Sequence, residues 1–204
     1  MIRNLLLDWS GTLADDIGPV LAATNSIFRD FGRREMSLME FRRKFRLPFS
    51  GFYSEFLPEA TAEGLQPLYE RFFVALQDDV TLLPGARELL DFCKATGRRT
   101  FLFSTINERH FETQATRLGV FDAFEHPYIG IMDKREKIRE ILHTHSLDPA
   151  ETAFVGDMVH DIETARHGGI LDIAVLTGYD LPSKLVAAKP SVVVANLAAL
   201  QRML

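Results

Sequence analysis

A single cysteine and a single tryptophan are all that 204 residues hold of those two types. One thiol cannot form an internal disulfide or build a multi-cysteine zinc site, so Cys93 reads as a small buried apolar residue. Long hydrophobic runs are missing too. The opening MIRNLLLDW is too short for a signal peptide or a membrane span, and a cytoplasmic protein without membrane contact is expected. Nor is there an excess of basic charge: 23 Lys and Arg face 28 Asp and Glu, a net charge of −5, which argues against a nucleic-acid partner. No internal repeat and no low-complexity linker stands out. What is present is the composition of a globular chain, 47% hydrophobic and 25% charged, enough to bury a core. The length suits one domain, or a domain carrying a sizeable insertion.

Short apolar runs ended by Gly, Asp or Ser recur at wide spacing: Ile2–Trp9, Arg99–Thr105, Thr152–Asp157, Leu171–Gly178 and Ser191–Leu197. Continuous rather than alternating hydrophobicity is the mark of strands buried on both faces. Helical stretches lie between them, such as GARELLDFCKATG and KREKIREILHTHSL, and Gly168-Gly169 supplies a helix stop after MVHDIETARH. Alternating strand and helix predicts an α/β fold, a parallel sheet covered by helices on both faces. From about Gly18 to Val80 the rhythm breaks. That stretch is helical, rich in aromatics, and carries the basic run RRKFR (Arg42–Arg46), so it reads as a helical insertion placed as a lid.

Ligands in parallel sheets sit outside the carboxyl ends of the strands. Asp8, Ser104 and Asp157 all fall at such ends. In GDMVHD, Asp157 and Asp161 are four residues apart and share one face of a first helical turn. Taken alone, two acids there are explained equally well by helix capping. Together with Asp8 they would repel one another unless a cation intervened, and hard oxygen ligands in this arrangement suit Mg²⁺.

Four pieces in order, DWSGTLADD, FLFST, the lysine of MDKREKIREIL, and FVGDMVHD, make the chain resemble the haloacid-dehalogenase-like (HAD) hydrolase superfamily, in particular its phosphatases with a small helical cap. The resemblance runs from Asp8 to the C-terminal strand and helix. It implies a Rossmann-like core domain of residues 1–17 plus 81–204 and a helical cap domain of residues 18–80. It also implies a Mg²⁺-dependent phosphoric monoester hydrolase, phosphoglycolate-phosphatase-like, acting on a small phosphorylated metabolite. On this resemblance Asp8 is the nucleophile that forms an aspartyl-phosphate. Ser104, with Thr105 as the weaker candidate beside it, holds a phosphoryl oxygen. Lys134 is preferred to Lys137 as the motif lysine. Asp8, Asp157, Asp161 and the backbone carbonyl of Ser10 surround the metal. Arg43 and Lys44 of the basic run could meet an anionic substrate from the cap, although a charge run is more often a solvated face.

One position departs from the phosphatase pattern. Where those enzymes carry a second Asp as general acid and base, this chain has Ser10, whose hydroxyl cannot serve as a comparable acid near neutral pH. Alternatives follow: a phosphonate hydrolase forming an imine on Lys44, the only lysine of the cap, or a weakly active metal- and phosphate-binding regulatory protein. Dehalogenation is disfavoured because the metal-binding GD pair is retained. Trp9 is expected in packing, His160 as a polar bystander, and Lys189 at the surface. His143 and His145 point apart on a helix and do not make a metal site.

Overall fold

The computed structural model describes residues 1–204, the side chain of Ala62 excepted. In chain order the elements are β1 (Asn4–Leu7), β2 (Ala14–Asp15), α1 (Ile17–Asp30), α2 (Leu38–Lys44), α3 (Phe49–Phe56), α4 (Ala62–Val74), β3 (Thr81–Leu82), α5 (Ala86–Ala95) and β4 (Arg99–Phe103). There follow α6 (Glu108–Arg117), β5 (His126–Tyr128), α7 (Lys134–Thr144), β6 (Thr152–Gly156), α8 (Val159–Gly168), β7 (Leu171–Val175), α9 (Pro182–Ala187), β8 (Val192–Val194) and α10 (Leu197–Met203). Six strands form one parallel sheet in the order β5-β4-β1-β6-β7-β8.

The apolar runs are buried on both faces because successive side chains of a strand point to opposite sides. Leu5 and Leu7 of β1 pack with Leu89, Cys93 and Phe111, whereas Leu6 packs with Phe101, Phe103, Phe154 and Ile138. The chain leaves β1 toward β4 on one side and later returns to β6 on the other, so the crevice between the carboxyl ends of β1 and β6 is the topological switch point. Leu7 pairs with Val155 there, which sets Asp8 and Asp157 side by side just beyond the two strands.

The helices between β2 and β3 have their own apolar cluster, in which Ile27, Phe28, Phe41, Phe52 and Leu57 are buried together with Met158 and Tyr179 from the sheet side. A Ser37–Glu40 capping box starts α2, and Gly32, at φ +64°, lets the chain turn after α1. At the root of this segment β2 and β3 pair antiparallel, Ala14 with Leu82 and Asp15 with Thr81.

Two features differ from the sequence reading. β5 was absent from it, because three residues including Pro127 carry no strand pattern; the proline is tolerated because β5 lies at the sheet edge. The β2–β3 ribbon, two residues a side, is likewise too short to show as periodicity.

Candidate active site

Asp8 follows β1, Ser104 follows β4, Lys134 opens α7, and Asp157 and Asp161 flank the start of α8. The structure gathers all five at the switch point. Carboxylate oxygens of Asp8, Asp157 and Asp161 lie within 4.8 Å of one another, and all three residues are buried. Lys134 is fully buried, with its ammonium 2.8 Å from Asp8 Oδ1 and 2.7 Å from Asp161 Oδ1. Its directed hydrogen bond goes to Asp161. Asp8 Oδ1 is thereby left without an aligned donor. Lys137, one turn on, is at the surface and pairs with Glu140.

Each acid is held from a different direction. Thr12 Oγ1 donates to Asp157 Oδ1 at 2.8 Å, and the Tyr179 amide donates to Asp157 Oδ2 at 2.7 Å. The Met158 amide donates to Asp161 Oδ2 at 3.0 Å, and the Lys134 amide donates to His160 Nε2 at 3.2 Å. Glycines make room for this. A Cβ on Gly11, itself at φ +73°, would lie 2.5 Å from an Asp157 oxygen. A Cβ on Gly178 would collide with the same carboxylate, and one on Gly156 with Asp161. The glycine of the GD pair is therefore a steric requirement of the acid five residues later.

Burial is the first influence on Asp8, Asp157, Lys134 and His160. It pushes the Asp8 carboxyl up, against the pull of Lys134. It pushes Asp157 well above the usual range, reinforced by the charges of Asp8 and Asp161. Burial alone would lower Lys134, but the Asp161 and Asp8 carboxylates outweigh it and hold the ammonium above its ordinary value. His160 is lowered to about 4 by burial and by Lys134, so it is neutral. Three buried carboxyl groups surround one ammonium, and the upward shifts of Asp8 and Asp157 show that ionising them together without a further cation is costly. This donor set, all carboxylate oxygen, fits a hard divalent cation.

Sequence reasoning passed over Asp16 and Tyr179. Asp16 stands at the N-cap position of α1 but does not cap it. Its Oδ2 accepts from Ser10 Oγ at 2.5 Å and its Oδ1 from the Tyr179 hydroxyl at 2.9 Å. Burial raises its carboxyl to about 7. A carboxyl group in that range exchanges its proton at neutral pH. The signal available in the sequence was the doubled acid of LADD, where a cap residue would have satisfied the pattern with one. Tyr179, through its amide, hydroxyl and a ring 5.4 Å from that of Phe45, joins the acids to the helical segment.

Other expected residues fall elsewhere. Thr105 lines the cavity in front of Asp8. Arg43 and Lys44 do not: both are exposed at the C-terminal end of α2, whereas Phe41 is buried among aromatics. Lys44 lies 3.6 Å from Glu55 and does not line the cavity. Trp9 is packed, its Nε1 donating to Gln114 at 2.8 Å. His143 is exposed and His145 meets the Tyr128 hydroxyl at 2.8 Å.

Comparison with known proteins agrees with this geometry. The profile of the "Haloacid dehalogenase-like hydrolase" family matches residues 5–175. A phosphoglycolate phosphatase of Synechococcus elongatus is 26% identical over 197 residues, covering 93% of this chain and 91% of its own. A 5′-nucleotidase of Pseudomonas aeruginosa is 27% identical, covering 98% and 95%. Among solved structures, a haloacid dehalogenase-like hydrolase of Streptococcus pneumoniae superposes with a TM-score of 0.88 at 21% identity, covering 99% and 98%. The acids at the switch point, the six-stranded parallel sheet and a profile match over most of the length lead to one assignment: the chain belongs to the haloacid dehalogenase-like hydrolase family.

Proposed function

We propose that the protein is a Mg²⁺-dependent phosphoric monoester hydrolase that cleaves a small phosphorylated metabolite through an aspartyl-phosphate on Asp8. The observation that supports this reading most is the buried cluster of Asp8, Asp157 and Asp161 with Lys134 bridging two of them. Two of the relatives above, a phosphoglycolate phosphatase and a 5′-nucleotidase, are named for hydrolysis of phosphate monoesters.

In this reading an Asp8 oxygen attacks phosphorus as the ester oxygen departs with its electron pair and takes up a proton. Water then attacks the acyl phosphate, breaks the bond between phosphorus and Asp8, and releases inorganic phosphate. Asp8, Asp157, Asp161 and the Ser10 carbonyl would hold the cation, which offsets repulsion between the carboxylate nucleophile and the phosphate dianion. Lys134 keeps Asp8 ionised and balances the entering charge. Ser104, buried beside Asp8, and Thr105 at the cavity wall receive phosphoryl oxygens. Residues 18–80 serve as the cap over a core of residues 1–17 plus 81–204 and exclude water during the reaction.

The test is phosphate release from p-nitrophenyl phosphate by the purified protein, with and without Mg²⁺. Chelation should abolish release, Mg²⁺ should restore it, and mass spectrometry should find the phosphoryl adduct on Asp8. Asp157→Asn should weaken the metal response more than Asp161→Asn, whose carboxylate is already engaged by Lys134. A full rate in excess chelator would sink the reading.

A further inference from the structure

The reacting end of the cavity is acidic, but most of the cavity is not. It encloses about 350 Å³ between the sheet loops and the helical segment. Its walls come from Phe45, Phe49, Tyr53, Leu65, Tyr69 and Phe73 on the cap side. Ile106, Met132 and Met158 face them from the sheet loops. Among the described residues that line it, none is Lys or Arg. The acidic side chains that line it beyond Asp8 are Asp16 and Glu70, the latter 2.9 Å from His110 Nε2. Most cations of the helical segment are paired at the surface, Arg29 with Glu35, Arg33 with Glu59, Arg34 with Glu40, Arg46 with Glu55 and Arg71 with Asp30.

We infer that this site takes phosphate monoesters of a bulky, largely apolar alcohol bearing no second negative charge, and discriminates against short phosphorylated acids. This rests on the phosphatase reading above and adds the class of leaving group. Two arguments carry it. First, a two-carbon acid would fill little of the cavity and leave its aromatic walls wet, whereas an aryl or branched alkyl body buries against them and gains transfer free energy. Secondly, a substrate carboxylate would be desolvated beside Glu70 with no Lys or Arg among the lining residues to receive it, a repulsive element that lowers affinity for the wrong substrate. Gln66, Asn107 and Glu70 at the wall offer hydrogen bonds to a hydroxyl or amide on the alcohol.

Three esters separate bulk from charge: 2-phenylethyl phosphate, ethyl phosphate and 2-phosphoglycolate. The last two are close in size and differ in the carboxylate. With Mg²⁺, kcat/KM should fall in that order, with the phenylethyl ester favoured over 2-phosphoglycolate by about tenfold or more, chiefly through KM. Calorimetric titration of the three into the Asp8→Asn variant with Mg²⁺ ranks their binding without turnover and should give the same order. Gln66→Arg places a cation on the exposed part of the cavity wall and should shift the ratio toward 2-phosphoglycolate. Equal or better binding and turnover of 2-phosphoglycolate by the unaltered protein would overturn the inference and leave the phosphatase reading standing. Absence of phosphate release from all three, with the binding order intact, would instead overturn the phosphatase reading while the preference for uncharged, bulky ligands held.

Discussion

The sheet unit and the helical segment handle charge in opposite ways. At the carboxyl ends of β1 and β6, Asp8, Asp157, Asp161 and Lys134 are buried together, with the ammonium 2.8 and 2.7 Å from Asp8 and Asp161 and the three carboxylates within 4.8 Å of one another. In the helical segment the charges stand in water as paired side chains, and the interior is aromatic. Exposed pairs of that kind contribute little to stability. Buried ones are costly to break and shift the ionisation of every neighbour. The comparison teaches a division of labour: the sheet loops concentrate reactive charge, and the helices present a shape.

The largest expected effect that would sharpen it lies at Ser10. Because its hydroxyl already donates to Asp16, Ser10→Asp alone sets two carboxylates against each other and should gain little. The exchange Ser10→Asp with Asp16→Ser returns an acid to the position next to the reacting oxygens. The pair should raise steady-state turnover of alkyl phosphates by about 10²-fold, the lower range for a positioned general acid and base. A full double-mutant cycle in kcat should show strong coupling between the two positions. Independent effects would mean that the Ser10–Asp16 contact does not matter to the reaction.

A smaller effect concerns pH. Asp16 in the folded protein is raised from 3.8 to about 7 by burial. The folded state thus binds the proton more tightly than the unfolded chain. Asp16's contribution to stability is fully present below about pH 4 and is lost as pH rises to about 7. The melting temperature in chelator should fall across that window, and Asp16→Asn should remove the part due to this residue. A slope unchanged in the variant would assign it to the other buried acids.

The smallest effect is expected on the helical side. Replacing Arg43, Lys44 and Arg46 together by Ala should change stability by roughly 0.5 kcal/mol or less per site, as exposed pairs do. It should also leave the ratio of rates on large and small esters unaltered. A selective loss on one substrate would bring the basic run back to the cavity and break the contrast between the two regions.

Much of this could be read from the chain. All five strands read from it coincide with sheet strands, Ile2–Trp9, Arg99–Thr105 and Thr152–Asp157 to within two residues at each end, because a continuous apolar run bounded by Gly or Asp has few other uses in a parallel sheet. Leu171–Gly178 and Ser191–Leu197 each end three residues earlier, at Val175 and Val194. The lysine could be placed by its position at a helix start, and Lys134 is the buried one. The basic run left two readings, substrate contact or a solvated face, because a charge pattern does not state which way a helix faces, and Arg43 and Lys44 are exposed. Phe41 is the buried residue of α2, and its partners Phe45, Phe52 and Tyr179 come from three separate stretches.

The sequence by itself determined which groups stand at the strand ends, since strand limits follow from local hydrophobicity and from turn residues such as Ser10-Gly11 and Gly156-Asp157. Only the tertiary structure decided what those groups touch. Asp16 meets Ser10 six residues away and Tyr179 far along the chain, and Lys134 reaches Asp8 and Asp161 at once. Such contacts depend on sheet order and helix rotation, which are set by long-range packing and leave no trace in any short stretch. The character of the cavity is of the same kind. Its lack of cations is a property of the folded wall, because the same helices carry many cations and turn them outward to water.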